Sequence, residues 1–220
     1  MEDLTLDVNA GQAIYTKRLL RHDDWWVPGV SNRVIWRCPT YRIRQHYQRH
    51  LSNNHLGFGV STGCVLDRCE FLDQRRMVLS DPNQNCLRAT LLRVNRYQSQ
   101  AVCADVLQPY RFDGGSFCSI GLNYVLHCIP GTMVAKSVIY DHLSTWLETR
   151  GIVFGATILG KQHEGHNLLA HSLIDVYNRK DIFSDLDDAL DTLGENLQSR
   201  FADWGTHVYS SVALFWGKMS

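Results

Sequence analysis

The chain has 220 residues, 45% of them hydrophobic, enough for one well-buried core and too few for two independent domains. Its 22 basic and 22 acidic residues cancel, which removes the electrostatic case for nucleic acid or an anionic membrane as partner and favours a small, weakly charged substrate. No apolar stretch approaches the roughly 20 residues of a membrane span, and the acidic start Met1-Glu-Asp-Leu-Thr-Leu-Asp-Val8 lacks the basic head and apolar core of a signal peptide. A cytoplasmic protein is expected.

Residues 1–50 are irregular and rich in aromatics, with Tyr15, Trp25, Trp26 and Trp36 punctuated by Pro28-Gly29 and Cys38-Pro39 into short helical pieces. They read as a helical cap or lid over the domain formed by residues 51–220, and Tyr15, Trp25 and Trp26 are candidate substrate contacts. The basic run from Arg42 to His50 reads as the solvated face of a helix.

From residue 54 the pattern alternates between strand and helix. His55 to Val60 reads as a strand, Thr62 to Cys69 as its helix, Arg76 to Ser80 as a second strand, and Asn83 to Tyr97 as a helix with Leu87, Leu91 and Val94 on one face. Gln100 to Ala104 and Ser116 to Tyr124 are apolar runs suited to parallel strands buried on both faces. Thr132 to Arg150 is the longest predicted helix, with Ala135, Val138, Ile139, Leu143, Trp146 and Leu147 inward and Gly151 as its stop, followed by a strand over Ile152 to Leu159. Helices over Asn167 to Asn178 and Leu186 to Gln198 follow. The chain then ends in two strands, Asp203 to Val208 and Ser211 to Trp216, too close together for a crossover helix and therefore antiparallel. The fold class is α/β, a doubly wound Rossmann-like sheet, with the ligand crevice at the carboxyl ends of the strands.

Those ends carry polar groups. Gly59-Val60-Ser61-Thr62-Gly63 follows the first strand, where loop amides and a helix N-terminus would meet an anionic or polar ligand tail. Asp81, followed by Pro82, lies 22 residues beyond Gly59, placed either to accept from both hydroxyls of a ribose or to start a helix. Asp105 and Val106 follow the third strand, an acid and an apolar side chain suited to an adenine ring, and Asn123, Tyr124 and His127 follow the fourth. The seven cysteines (38, 64, 69, 86, 103, 118 and 128) are never spaced Cys-x-x-Cys and read as free thiols. His163 and His166 could share a helix face, but His171 lies five further on and no acid or thiol completes a ligand set, so no metal is expected.

Gly59-Val-Ser-Thr-Gly63, Val78-Leu-Ser-Asp-Pro-Asn83, Ala104-Asp-Val-Leu107, the run from Phe112 to His127 and Gly151-Ile-Val-Phe-Gly155 together resemble, in order, the motifs of the class I S-adenosylmethionine-dependent methyltransferases. The chain is most similar to the small type 11/12 group acting on metabolites and natural products. The resemblance spans about residues 50–217. It implies a seven-stranded sheet whose last strand is antiparallel, S-adenosylmethionine as cofactor and S-adenosylhomocysteine as product. It further implies that Gly59 to Gly63 pass under the methionine moiety, Asp81 holds the ribose, Asp105 and Val106 frame the adenine, and Asn123 lines the site near the transferable methyl. In the family an acidic residue stands two positions before the first loop glycine. This chain has Gly57 there, and Ser61 in place of the central glycine. Weaker cofactor binding follows.

The expected reaction is methyl transfer to an O, N or C acceptor on a small molecule of secondary metabolism. His127 is the candidate base, and Tyr124, His163 and His166 join the aromatics as substrate contacts. Two other readings fit the same residues: a methyltransferase-like protein that has lost methylation and binds, isomerises or cyclises an intermediate, and a non-catalytic partner subunit of another enzyme. Monomer and homodimer stay open.

Overall fold

The structure, a computed structural model, describes residues 26–71, 75–186 and 188–220. Tyr15 and Trp25 lie outside them, as does the side chain of Trp26.

Seven strands form one sheet in the order β3-β2-β1-β4-β5-β7-β6. They are β1 (Asn54–Phe58), β2 (Arg76–Ser80), β3 (Gln100–Val102), β4 (Phe117–Asn123), β5 (Leu147–Ile158), β6 (Asp203–Tyr209) and β7 (Val212–Lys218). β1 to β5 pair in parallel, whereas β7 lies antiparallel between β5 and β6. The last strand is therefore antiparallel, as the resemblance implies. The short turn after Tyr209 forces this, because two residues cannot carry a crossover.

Both sheet faces are covered at β1, β2, β4 and β5, which explains their continuous apolar runs. β3, in contrast, ends at Val102 on the sheet edge with Gln100 and Ala101 exposed, so the burial expected for Gln100 to Ala104 does not occur at those two residues. On one face, Tyr47 of helix α1 (Thr40–His50) packs with Leu79, Leu87 and Phe154. On the other, Leu56, Ile120 and Val153 pack with Ile139, Leu143, Leu193 and Leu197. A π-wound segment, Trp26–Ile35, precedes α1, and Ile35, Trp36, Cys38 and Ile43 share a third cluster with Ala156, Ile158, Ile174 and Phe183. α1 turns Ile43 and Tyr47 inward and leaves Arg44 and Arg49 exposed.

Three predicted helices differ. Thr62 to Cys69 is a series of turns closed by a single 3-10 turn, Leu66–Arg68. Ser61 and Gly63 both take left-handed φ values, +47° and +71°, which interrupts a right-handed ladder. The segment that follows the glycine loop therefore supplies no α-helix N-terminus to it. Thr132 to Arg150 divides into α3 (Met133–Lys136) and α4 (Val138–Trp146), and the chain joins the sheet at Leu147. Pairing of Leu147 with Phe117 extends β5 backwards through an irregular register, with Arg150 at φ +63°. Gly151 thus sits inside a strand, and Met133, Lys136, Ile139, Tyr140, Leu143 and Trp146 are buried while Ala135 and Val138 are exposed. Helix α2 (Gln84–Arg93) forms where expected but ends at Arg93, with Asn95–Tyr97 a separate 3-10 turn, and is capped by the Asn83 side chain on the Asn85 amide at 2.9 Å. α5 (Leu168–Arg179) likewise has Asn167 as its cap. The helix expected from Leu186 begins only at Leu190, as α6 (Leu190–Gln198), and leaves Leu186 exposed.

All seven cysteines are free; Cys38, Cys69 and Cys86 are buried. Among the described residues no helix is long and apolar enough to cross a membrane.

Candidate active site

The carboxyl ends of β1 to β5 open into one cavity of about 700 Å³. Its lining includes Gly59, Val60, Ser61, Thr62, Gly63, Asp81, Pro82, Asp105, Val106 and Asn123, together with Tyr124 and His127. β1 delivers the glycine loop. At Gly59, φ is +63° and a Cβ would lie 2.3 Å from Val125 Cγ2, so the loop can fold back only where no side chain intervenes.

Asp81 is buried at the end of β2. Its Oδ1 accepts from the Asn83 amide at 2.8 Å and its Oδ2 from the Ser61 amide at 3.3 Å. Burial lifts its pKa from 3.8 to about 6, opposed by the amides of Asn83, Ser61 and Val60. The carboxylate therefore ties the glycine loop to β2, and Asn83, not Asp81, caps α2. Asp105 is half-buried beyond β3, where its Oδ1 accepts from the Leu107 amide at 2.9 Å beside buried Val106.

At the end of β4 the Asn123 carboxamide is buried, and neither Oδ1 nor Nδ2 has a partner. An orphan amide of this kind costs about 1–3 kcal/mol. The next residue, Tyr124, sits at φ +58°, and its backbone N–H donates to the Ala156 carbonyl at 2.7 Å. The Tyr124 hydroxyl donates to Asn32 Oδ1 at 2.9 Å, and Asn32 Nδ2 donates to Thr40 Oγ1 at 3.1 Å, linking the strand end to the N-terminal segment. Burial raises the Tyr124 pKa well above its ordinary value and keeps the phenol protonated.

His127 is 3% exposed. Its Nδ1 accepts from the Ile158 amide at 3.3 Å, which assigns the imidazole proton to Nε2. Burial first, then the nearby Lys136 charge, lowers its pKa to about 3. Lys136 is itself buried against Asp188 at 2.6 Å and also donates to the Ser184 carbonyl, while the Ser184 amide bonds the His127 carbonyl at 2.8 Å. A neutral imidazole follows, and a weak base.

His163 and His166 do not line the cavity. His163 Nε2 bonds the Ser210 carbonyl at 2.8 Å, and His166 bonds Ser211 Oγ at 2.9 Å and the Gly160 carbonyl at 2.8 Å. Both fasten the β6–β7 turn, which corrects their expected place among the substrate contacts. Among the described residues no cluster of His, Cys, Asp and Glu could hold a metal ion. Sequence reasoning missed Asn32, Tyr47, Tyr177, Lys180, Ile182 and Phe183, which also line the cavity. They come from α1, α5 and irregular segments, where no periodicity marks a binding residue.

Two carboxylates at the β2 and β3 ends, an apolar slot at Pro82 and Val106, and an unpartnered amide at β4 suit a nucleoside that carries an amino-acid tail.

No family model matches the chain. It is 34% identical over 187 residues to demethylluteothin O-methyltransferase of Streptomyces thioluteus, with 82% of this chain and 81% of that protein covered. It is 33% identical over 153 residues to the physcion biosynthesis cluster O-methyltransferase of Aspergillus chevalieri, with 69% of each covered. The crystal structure of the N-methyltransferase NodS of Bradyrhizobium japonicum WM9 with S-adenosyl-L-homocysteine shares the fold at a TM-score of 0.66 and 15% identity, over 96% of this chain and 98% of that one. With relatives of this identity and coverage, the chain belongs to the S-adenosylmethionine-dependent methyltransferases and uses S-adenosylmethionine as its cofactor.

Proposed function

We propose that this methyltransferase acts on an acidic hydroxyl of a largely apolar small molecule of secondary metabolism. The observation that carries this reading is the composition of the cavity on its β4–β5 side. Trp36, Ile43, Ile158 and Phe183 wall it together with Tyr177 and Ile182, exposed Lys180 stands at its edge, and the lining carboxylates among the described residues, Asp81 and Asp105, belong to the β2–β3 side. Apolar walls suit an aromatic or polyene body, and a lone ammonium suits an ionised oxygen.

The residues divide the work. Gly59 to Gly63 run beneath the methionine part of the cofactor, Asp81 with Pro82 takes the ribose, Asp105 and Val106 take the adenine, and Asn123 meets the amino-acid end. Bound there, S-adenosylmethionine supplies a sulfonium methyl with an excellent leaving group, so orientation and exclusion of water carry most of the catalysis. His127 keeps its proton on Nε2 and acts as a hydrogen-bond donor that orients the acceptor oxygen. As its Nδ1 is engaged by Ile158 and its pKa is about 3, it cannot remove a proton from an ordinary alcohol or amine. An acidic hydroxyl, which ionises without help, needs no such base. The N-terminal segment serves as a cap, its described part joined to the strand ends through the Tyr124–Asn32 hydrogen bond.

The relatives support an oxygen acceptor, since both are O-methyltransferases by name. A panel of phenols and enols of graded acidity, assayed with labelled cofactor, tests the reading. The rate should rise with pH to half-maximum near each acceptor's own pKa, in wild type and in His127→Ala alike. Turnover confined to amines, or a rate profile that ignores acceptor acidity, would overturn it.

A further inference from the structure

The family's loop carboxylate is missing at Gly57, and the cofactor's ammonium needs another partner. We infer that the Asn123 carboxamide takes over this grip, with Oδ1 accepting from the ammonium and Nδ2 donating to the carboxylate of the cofactor's amino-acid end. The assignment rests on the placement of S-adenosylmethionine in this cavity.

Gly57 pairs in register with Gly121 of β4, so two adjoining strands lack side chains at the same level. The space at Gly57 is apolar: a Cβ there would meet Val60 Cγ1 at 3.3 Å and Leu66 Cδ1 and Leu79 Cδ2 at 3.5 Å. None of these three nearest atoms is polar. The Tyr47 hydroxyl covers the neighbouring glycine, lying 2.5 Å from where a Gly121 Cβ would stand. Yet this hydroxyl is engaged with His55 Nε2 at 2.7 Å, and His55 Nδ1 with Ser119 Oγ at 2.8 Å. That chain is complete without a ligand.

Asn123 follows Gly121 by two residues and so projects to the same face of β4. Both polar atoms of its side chain are buried and unpartnered, and the backbone behind it is fixed by the Tyr124–Ala156 hydrogen bond. One acceptor and one donor on a planar amide match the ammonium and carboxylate of a zwitterion. Being neutral, the amide holds that end by hydrogen bonds alone, a weaker grip than a charged pair.

Calorimetry with two probes separates this role from the rest of the site. S-adenosylhomocysteine carries the amino-acid end, and 5′-methylthioadenosine presents the same nucleoside without it. Asn123→Leu and Asn123→Ser should each weaken S-adenosylhomocysteine about tenfold, leave 5′-methylthioadenosine within about twofold, and unfold no earlier than wild type without ligand, because an unsatisfied amide has been removed. Equal losses for both probes, no loss for either, or failure of both variants to fold would overturn the assignment and make Asn123 structural. Wild-type protein that binds neither probe would instead remove the cofactor site itself.

Discussion

The two halves of the cavity are built on opposite principles. On the β2–β3 side, buried Asp81 is surrounded by backbone amides, and half-buried Asp105 accepts from the Leu107 amide, so charge is brought in and satisfied before any ligand arrives. On the β4–β5 side, Asn123 is neutral and unpartnered, His127 is held neutral, and the buried ion pair of Lys136 and Asp188 stands behind the wall, near buried Asp185, whose pKa burial lifts to about 7. The charged half suits the constant nucleoside, whose hydroxyls always present the same donors. The neutral half suits a variable apolar acceptor that supplies its own charge.

The ion pair behind the neutral half offers the largest effect. Breaking a buried pair leaves one charge uncompensated and costs about 3–5 kcal/mol, whereas replacing both partners by apolar groups is often close to neutral. Lys136→Met should therefore lose about 3–5 kcal/mol in urea unfolding, and Lys136→Met with Asp188→Leu should recover most of it. A double variant no better than the single one would show that the pair's bonds to the Ser184 segment, and not its charge balance, support the wall.

On the charged half, Asp81→Ala removes the proposed ribose acceptor and the tie to the Ser61 amide together. Two charge-assisted hydrogen bonds at about 1.5–3 kcal/mol each predict a loss of at least 100-fold in S-adenosylhomocysteine affinity by calorimetry. A loss below tenfold would place the ribose elsewhere.

The same carboxylate separates the halves by pH. Its folded pKa is about 6 without ligand, raised by burial. Ribose hydroxyls donating to it, as proposed, would favour the ionised form, so affinity should be full above pH 6 and fall as pH drops through 6, about tenfold per unit below. His127, already neutral, adds no step between pH 4 and 8. Affinity that is flat from pH 7 to pH 5 would mean that Asp81 does not meet the ligand.

This contrast also marks what the sequence made legible. Strand ends with an acid 22 residues past a glycine are short-range patterns, and Asp81, Asp105 and the loop line one cavity as those patterns suggest. The sheet class was equally legible, because near-continuous apolar runs suit strands covered on both faces, whereas the order of the strands came only with the structure. Hidden were features decided by long-range pairing. Leu147 to Arg150 look helical, yet pairing with β4 draws them into β5. Lys136 falls on a buried stripe because Asp188, far along the chain, neutralises it. Lys180 and Phe183 meet the cavity from an unpatterned stretch. His163 and His166 were misleading for the same reason, since their partners, Ser210 and Ser211, are about 45 residues away.

The smallest effect lies at the seam between the halves, in the glycine loop. Ser61 is a non-glycine residue at φ +47°, a conformation that costs an L side chain about 1–2 kcal/mol. Its two structural bonds use the backbone alone: the amide donates to Asp81, and the carbonyl accepts from Thr90 Oγ1 at 2.9 Å. Ser61→Gly keeps both bonds and relieves the strain, partly offset by the greater freedom of glycine in the unfolded chain. A net gain of about 0.5–1 kcal/mol should raise the thermal midpoint by roughly 1–4 °C for a chain of this size. Cofactor affinity should rise slightly, as the amide facing Asp81 becomes easier to hold. A lower midpoint would show that the Ser61 hydroxyl stabilises the loop, and the substitution of the family's central glycine would then be an adaptation of this seam, not a tolerated defect.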